Sequence, residues 1–212
     1  MTMFDDARHE VCDAARKMWQ AGLVAGSSGN VSRRISDGHI AITPTSIPYD
    51  ALTADDIVII ELANGSVAGN GEPSYELPMH LAVYRSRPDA GALVHTHSPC
   101  VTALSVLRRP LPPVLDEMVV HFGGTIELAD YAFTGTDAVG TNVVRTLGDR
   151  NAVLLANHGN LCVARTLNAA LQLAIAMEAG ARIYLEALLL GTPVPLPDDS
   201  LVAGRRLHEQ RR

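Results

Sequence analysis

The sequence has few of the features that commit a chain to nucleic acid, a membrane or an oxidising compartment. Its 17 Lys and Arg are outnumbered by 23 Asp and Glu, for a net charge of -6. No basic stripe of the kind that grips a phosphate backbone is present. Arginines cluster only near the end, at Arg205, Arg206, Arg211 and Arg212, where a solvated tail accounts for them. Cysteine is scarce: Cys12, Cys100 and Cys162 are odd in number and widely spaced, which suits reduced, inert thiols and not a disulfide framework. No basic segment followed by an apolar stretch opens the chain, so no signal peptide is expected. The most apolar segment, Ala169 to Leu190, is broken by Gln172, Glu178, Arg182 and Glu186, which fits a long buried helix and not a membrane span. Repeats, linkers and low-complexity tracts are missing too. A cytoplasmic protein without nucleic-acid or membrane partners is expected, folded as a single domain over residues 1–212.

What is present is a 47% hydrophobic chain with alternating element signals. Val11, Ala14, Ala15 and Met18 share one face of a helix expected from about Asp5 to Ala21. GLVAGSSGNVSRR follows as a glycine- and serine-rich stretch, and HIAITPTSI alternates like a strand until Pro44. Thr53 reads as the N-cap of a short turn before IVIIEL, a buried strand, and Asn64-Gly65 is a hairpin signal. Ser74 reads as the cap of a helix running to Arg87, Ala92–His97 as a strand, and Val101–Leu107 as a helix. A further helix is expected from Thr136 or Asp137 to Gly148. NAVLLANHGNLCVA reads as two strands joined at His158-Gly159, and Thr166 as the cap of a long helix ending at Gly191. This order predicts an α/β fold, a three-layer α/β/α domain around a mixed, largely antiparallel sheet.

Four short elements carry chemistry. In LVHTHSP, His95 and His97 lie two apart on a strand and therefore project from one face. That spacing serves a metal pair or two half-exposed histidines at a strand end. In LLANHGN, His158 stands where an apolar strand gives out, followed by a glycine that permits a tight turn. Alone it reads as a turn residue. Beside the first pair it completes a three-histidine set with an open position, the mark of catalytic and not structural zinc. In EPSYELPMH, Glu76 sits in a first helical turn, where it either assists the cap or serves chemistry, and His80 lies four residues on, as a structural group or a partner to a site residue. SSGNVS and TPTS supply amides and hydroxyls of the kind a phosphate site needs, although such loops are often only loops.

Together these elements resemble the class II aldolase/adducin-head family, its L-fuculose-1-phosphate aldolases in particular, over nearly the whole chain. The resemblance rests on GNVS at 29–32, ITPTSIPYD at 42–50, PS-x-E at 73–76, SRPDAGALVHTH at 86–97, YA-x-x-GT at 131–136 and NHG at 157–159. It implies that His95, His97 and His158 hold Zn2+ or another divalent ion, one per subunit, and that Glu76 is the acid/base. It implies that Gly29, Asn30, Thr45, Ser46, Ser74 and Tyr75 surround a substrate phosphate, and that the protein is a homotetramer with sites between subunits. The sequence departs from the family pattern where Ser46 replaces a glycine, where Tyr75 replaces a serine, and where LPPVLDEMV (111–119) lacks a tyrosine.

The resemblance therefore implies a metal-dependent lyase that cleaves a ketose 1-phosphate of the L-fuculose type to dihydroxyacetone phosphate and an aldehyde through a zinc-stabilised enediolate. Strict fuculose-phosphate specificity does not carry over. Asp116, Glu117 and Tyr131 are candidates for a second acid/base at the departing hydroxyl. Alternatives within the family are decarboxylation of a sugar-acid phosphate, dehydration of a methylthioribulose phosphate and, ranked lower, epimerisation. A non-catalytic adducin-like module is a remote alternative, since it predicts loss of the metal ligands.

Overall fold

The computed structural model describes residues 2–35 and 38–211. Helix α1 (Met3–Gln20) starts at Thr2, whose hydroxyl accepts the Asp5 N–H while the Asp5 carboxylate accepts the Thr2 N–H. Strands β1 (Asn30–Ile35) and β2 (His39–Ile42) form a hairpin, and a capped single turn at Ala54–Asp56 leads to β3 (Val58–Glu61). Next come α2 (Leu77–Ser86), β4 (Ala92–Thr96), α3 (Pro99–Val106), α4 (Asp116–Phe122), β5 (Leu128–Ala129) and α5 (Asp137–Leu147). The chain then forms β6 (Ala152–Leu155), β7 (Gly159–Ala164), the long α6 (Leu167–Leu190) and α7 (Asp198–Arg211).

The strands form one sheet in the order β3-β2-β1-β4-β7-β6-β5. Among the described residues only β5 and β6 run parallel; the other neighbours are antiparallel. Alternation along each strand separates two cores. Ala92 and Val94 of β4 pack with α1, α3, α4 and α6, whereas Leu93 faces α2 and α5. The α/β/α layering expected from the element order is the architecture observed.

Four local expectations need correction. NVSRRI is a central strand, β1, and not part of a loop. Its α2-facing residues, Asn30, Ser32 and Arg34, are polar, so the apolar alternation that marks a strand is hidden. They are satisfied by side chains and carbonyls of α2 and its flanks, which makes their burial tolerable. Helix α2 begins at Leu77, with Glu76 at the N-cap; the Ser74 hydroxyl accepts the Glu76 N–H at 3.3 Å one step before the helix. The Asn64-Gly65 turn folds the chain back, with Glu61 N–H donating to Ser66 at 2.9 Å, but the returning limb makes only an isolated bridge between Ile60 and Val67. Beyond Val67 the limb is Ala-Gly-Asn-Gly and has little side chain to pack. Finally, the arginine-rich end is helical. In α7, His208 Nδ1 meets the Val120 carbonyl at 3.1 Å and Arg205 Nε donates to Gly123 O at 3.2 Å, docking the helix on α4.

Arg34 joins β1 to the end of α2. Its guanidinium donates to the carbonyls of Tyr84 (2.6 Å), Arg87 (3.2 Å) and Ala90 (2.9 Å), and lies 4.9 Å from the Tyr84 ring centroid. A cation placed on the last carbonyls of a helix also complements its dipole. Arg34→Met keeps the stem and loses the charge and its donors. It is expected to cost about 2–3 kcal/mol, read as a fall in Tm of roughly 4–10 °C by differential scanning calorimetry. An unchanged Tm would assign the connection to packing alone.

Candidate active site

Sheet register assembles the site. Asn30 of β1 stands directly opposite His95 of β4, and β4 pairs on its other side with β7, His95 opposite Leu161. Leu93 and His95 share the sheet face that carries α2, so His95 emerges beneath the helix whose N-cap is Glu76. His97 follows two residues on, just past the strand. His158 comes from the tight turn between β6 and β7, where Asn157, not the glycine, takes the left-handed conformation (φ 56). Gly159 serves a different purpose: a Cβ there would collide with the Thr96 carbonyl and crowd the His97 ring. Glycine lets the turn close against β4 and brings His158 to the other two histidines.

The three imidazole rings lie with all pairwise centroid distances at 4.8 Å. Their Nε2 atoms and the Glu76 carboxylate converge: His95 Nε2 is 2.8 Å from Glu76 Oε2 and 2.9 Å from His97 Nε2, and His158 Nε2 is 3.1 Å from Glu76 Oε1. All four ligand atoms lie within 4.8 Å of one another. His95 Nδ1 is 2.7 Å from the Asn160 carbonyl, which can only accept, so Nδ1 carries the proton and a neutral ring turns its lone pair inward. Lone pairs and a carboxylate this close repel unless a proton or a cation sits among them. Three imidazole nitrogens and one carboxylate oxygen are a donor set that zinc accepts, with the backbone carbonyl fixing the tautomer of one ligand. The residues therefore fit a divalent cation.

The electrostatics of the protein alone point the same way. Burial by itself would raise the Glu76 carboxyl, but His95, the hydrogen bonds from His158 and His95, and the charge near His158 hold it well below the usual carboxylate range. Burial opposes charge on His95, yet the adjacent Glu76 raises its imidazole. His97 is lowered to about 3 by burial and by its two histidine neighbours.

Glu76 also directs a chain of donors through the buried side of α2. A carboxylate only accepts, so Asn30 Nδ2 donates to Oε2 at 2.9 Å and Asn30 Oδ1 is left as an acceptor. His80 Nε2 must then donate to that oxygen (2.6 Å), and its Nδ1 must accept from Ser32 Oγ (2.6 Å). With its proton committed, Ser32 accepts from the Tyr84 hydroxyl at 2.9 Å. Burial lowers His80 to about 3, keeping it neutral, as this direction requires. His80 thus supports the site through Asn30 and stands outside the metal cluster.

The expected phosphate segments lie side by side. Thr45 N–H donates to Glu72 O and Ser74 N–H to Thr43 O, both at 3.0 Å, which sets Thr45 and Ser46 beside Ser74 and Tyr75. Tyr49 donates to the Gly29 carbonyl at 2.7 Å, fastening the glycine turn to the same segment. Ser46, at the position of the family's glycine, takes φ 61, a left-handed conformation. Asn30 is placed with its amide on Glu76 and not on the open face of these loops. Tyr131 lies near the His158 turn: Arg108 sits 5.9 Å from its ring centroid and donates to Asn157 Oδ1 at 3.1 Å. Asp116 and Glu117 occupy the exposed first turn of α4, in the layer across the sheet from α2, and make no hydrogen bond or ion pair to the cluster. Two contributors escaped sequence reasoning. Thr134 Oγ1 donates to Glu76 Oε1 at 2.8 Å, from one of the unspecified positions of YA-x-x-GT. The Asn160 partner of His95 is a backbone carbonyl, which no side-chain signal reveals.

Comparison with known proteins agrees with this geometry. The family described as Class II Aldolase and Adducin N-terminal domain matches residues 9–185. An L-fuculose phosphate aldolase of Escherichia coli O6:H1 is 40% identical over 194 residues, covering 92% of this chain and 89% of its own. A 5-methylthioribulose-1-phosphate/5-deoxyribulose-1-phosphate aldolase of Rhodospirillum rubrum is 38% identical, covering 92% and 87%. A solved L-fuculose 1-phosphate aldolase superposes with a TM-score of 0.91 at 34% identity, covering 96% of each chain. Fold, family match and these relatives agree: the chain belongs to the class II aldolase and adducin N-terminal domain family.

Proposed function

We propose that the chain is a divalent-metal-dependent carbon–carbon lyase that cleaves a ketose 1-phosphate, reversibly, to dihydroxyacetone phosphate and an aldehyde. The observation that carries this reading is the convergence of His95, His97 and His158 with a buried, ionised Glu76 whose oxygens are also held by neutral donors. Zinc or a similar ion on the three histidines would supply a Lewis acid for the carbonyl and adjacent hydroxyl oxygens of the substrate. Glu76 exchanges a proton with the carbon that becomes the hydroxymethyl carbon of dihydroxyacetone phosphate. In the condensation direction its ionised form accepts that proton, and in cleavage the carboxyl form returns it to carbon; the Asn30 amide steadies the carboxylate between the two. Tyr131, beside the His158 turn, is the best placed of the candidates for the proton of the departing hydroxyl; Asp116 and Glu117 lack a path to the cluster within one chain. Gly29, Thr45, Ser46, Ser74 and Tyr75 frame the phosphate, with Asn30 behind them.

Relatives named for fuculose phosphate and for methylthioribulose or deoxyribulose phosphate share a ketose 1-phosphate, and differ at the aldehyde end. The substrate class therefore follows the shared half. Tyr75, Tyr131 and Phe133 are exposed large side chains near the site, as suits a homotetramer in which neighbouring subunits cover the mouth.

Two experiments test the reading. His95→Ala combined with His97→Ala is expected to abolish stoichiometric divalent metal in the purified protein, measured by plasma emission spectrometry; full occupancy would falsify the ligand assignment. Glu76→Gln preserves size and removes the base. Metal should stay bound, turnover of a ketose 1-phosphate should fall roughly 10²–10⁴-fold, and exchange of the dihydroxyacetone phosphate carbon proton with solvent should fall in parallel. Near-parental turnover would reduce Glu76 to a structural group, and joint loss of metal and turnover would make it chiefly a ligand.

A further inference from the structure

Glu76 has two oxygens, and the donor chain through Asn30 accounts for only one. The other is met by a turn whose sequence explains its shape. In Phe133-Thr134-Gly135-Thr136, the Phe133 carbonyl accepts from both the Thr136 N–H (3.4 Å) and the Thr136 hydroxyl (2.6 Å). Gly135 takes φ 76 at the third position, where a side chain would be strained. The turn is held at two points. The Tyr75 ring lies so close over Gly135 that a Cβ there would collide with it, and Thr136 opens α5, which packs against α2, the helix with Glu76 at its N-cap position. So fixed, the corner residue points its hydroxyl at the carboxylate, and Thr134 Oγ1 donates to Glu76 Oε1 at 2.8 Å.

We infer that Thr134 is a positioning residue for Glu76, holding the carboxylate plane toward the three histidines through its second oxygen. The inference rests on the reading of His95, His97 and His158 as metal ligands and of Glu76 as the group that works beside them. Once the histidine nitrogens face a cation, His158 no longer donates to Oε1, and Thr134 is left as the neutral donor on that oxygen, as Asn30 is on Oε2. One donor per oxygen fixes both the position and the rotation of a carboxylate; one donor alone leaves it free to turn. Tyr75, which departs from the family's serine, gains a purpose here: its ring seats the turn that carries Thr134.

The test uses Thr134→Val, which keeps the branched shape and loses the hydroxyl, and Thr134→Ser, which keeps the hydroxyl. Metal-stripped protein is titrated with cobalt(II) and followed by its visible absorbance, and the reloaded proteins are assayed on a ketose 1-phosphate. Thr134→Val should still load fully but bind cobalt about tenfold more weakly, because Glu76 stands beside the three histidines as a fourth oxygen donor to the cation when no substrate is bound, and Thr134 steadies it. Its kcat should fall about tenfold with KM within about twofold, because the group lost orients a base and does not bind substrate. Thr134→Ser should return both to within about twofold of the parent. A Val variant equal to the parent in cobalt affinity and kcat overturns the inference, and so do Val and Ser variants equally impaired, since the shape of the turn would then matter and not the hydrogen bond. A parent that binds cobalt and cleaves no ketose phosphate counts against the lyase reading alone, and the cobalt titrations still decide the part played by Thr134.

Discussion

A carboxylate removed from water must be met by donors or neutralised, and the interior around Glu76 is arranged to meet it. Only 7% of Glu76 is exposed. Its burial is tolerable because histidine, asparagine and threonine converge on its two oxygens from different parts of the chain. The charge in turn dictates hydrogen-bond polarity over a distance: it sets the orientation of the Asn30 amide, hence the tautomer of His80, hence the proton positions on Ser32 and Tyr84. Polar residues on the inner face of a central strand, ordinarily destabilising, become the means by which β1 recognises α2. The sheet face that looks wrong by hydropathy is the one that the buried charge requires.

The same arrangement explains why the site sits where it does. The start of β1, the end of β4, the β6–β7 turn and the α2 N-cap meet over the ends of the central strands, so each supplies one kind of group at short range. Rigid strands place Asn30 and His95, a turn places His158, and a helix start places Glu76. The segments carrying Thr45 and Ser74 are fastened to each other by backbone hydrogen bonds, so the loop after β2 and the segment that leads into Glu76 are held together.

Much of this was legible in the sequence wherever periodicity and chemistry agreed. The spacing of two between His95 and His97 reads correctly because β4 is apolar on both faces and unmistakably a strand. The α5 and α6 boundaries were marked by Thr and Gly at their ends, and Thr166 does cap α6 through the Ala169 N–H. β1 was hidden because its alternation is polar against mixed, and burial of Asn30 and Ser32 depends on partners some fifty residues away (His80 lies 50 from Asn30). α4 and α7 are short or polar and gain definition from packing on each other, which no local pattern records. The α2 start was misplaced by two residues because a serine preceding a helix serves equally as a cap or as a turn residue before it. Thr134 was invisible for a different reason: its significance lies in one hydroxyl aimed across 58 residues of sequence.

The direct pairing of Asn30 with His95 ties the chemistry of the site to the alignment of its two central strands. Sliding β1 by one residue along β4 would set Val31 against His95 and send Asn30, Ser32 and Arg34 into the apolar layer of α1 and α6, stranding His80, Tyr84 and one oxygen of Glu76 together. An intermediate misalignment has no partial version of the site to fall back on. A ligand that recognises the finished cluster therefore recognises, at the same time, that the chain has folded in the correct frame.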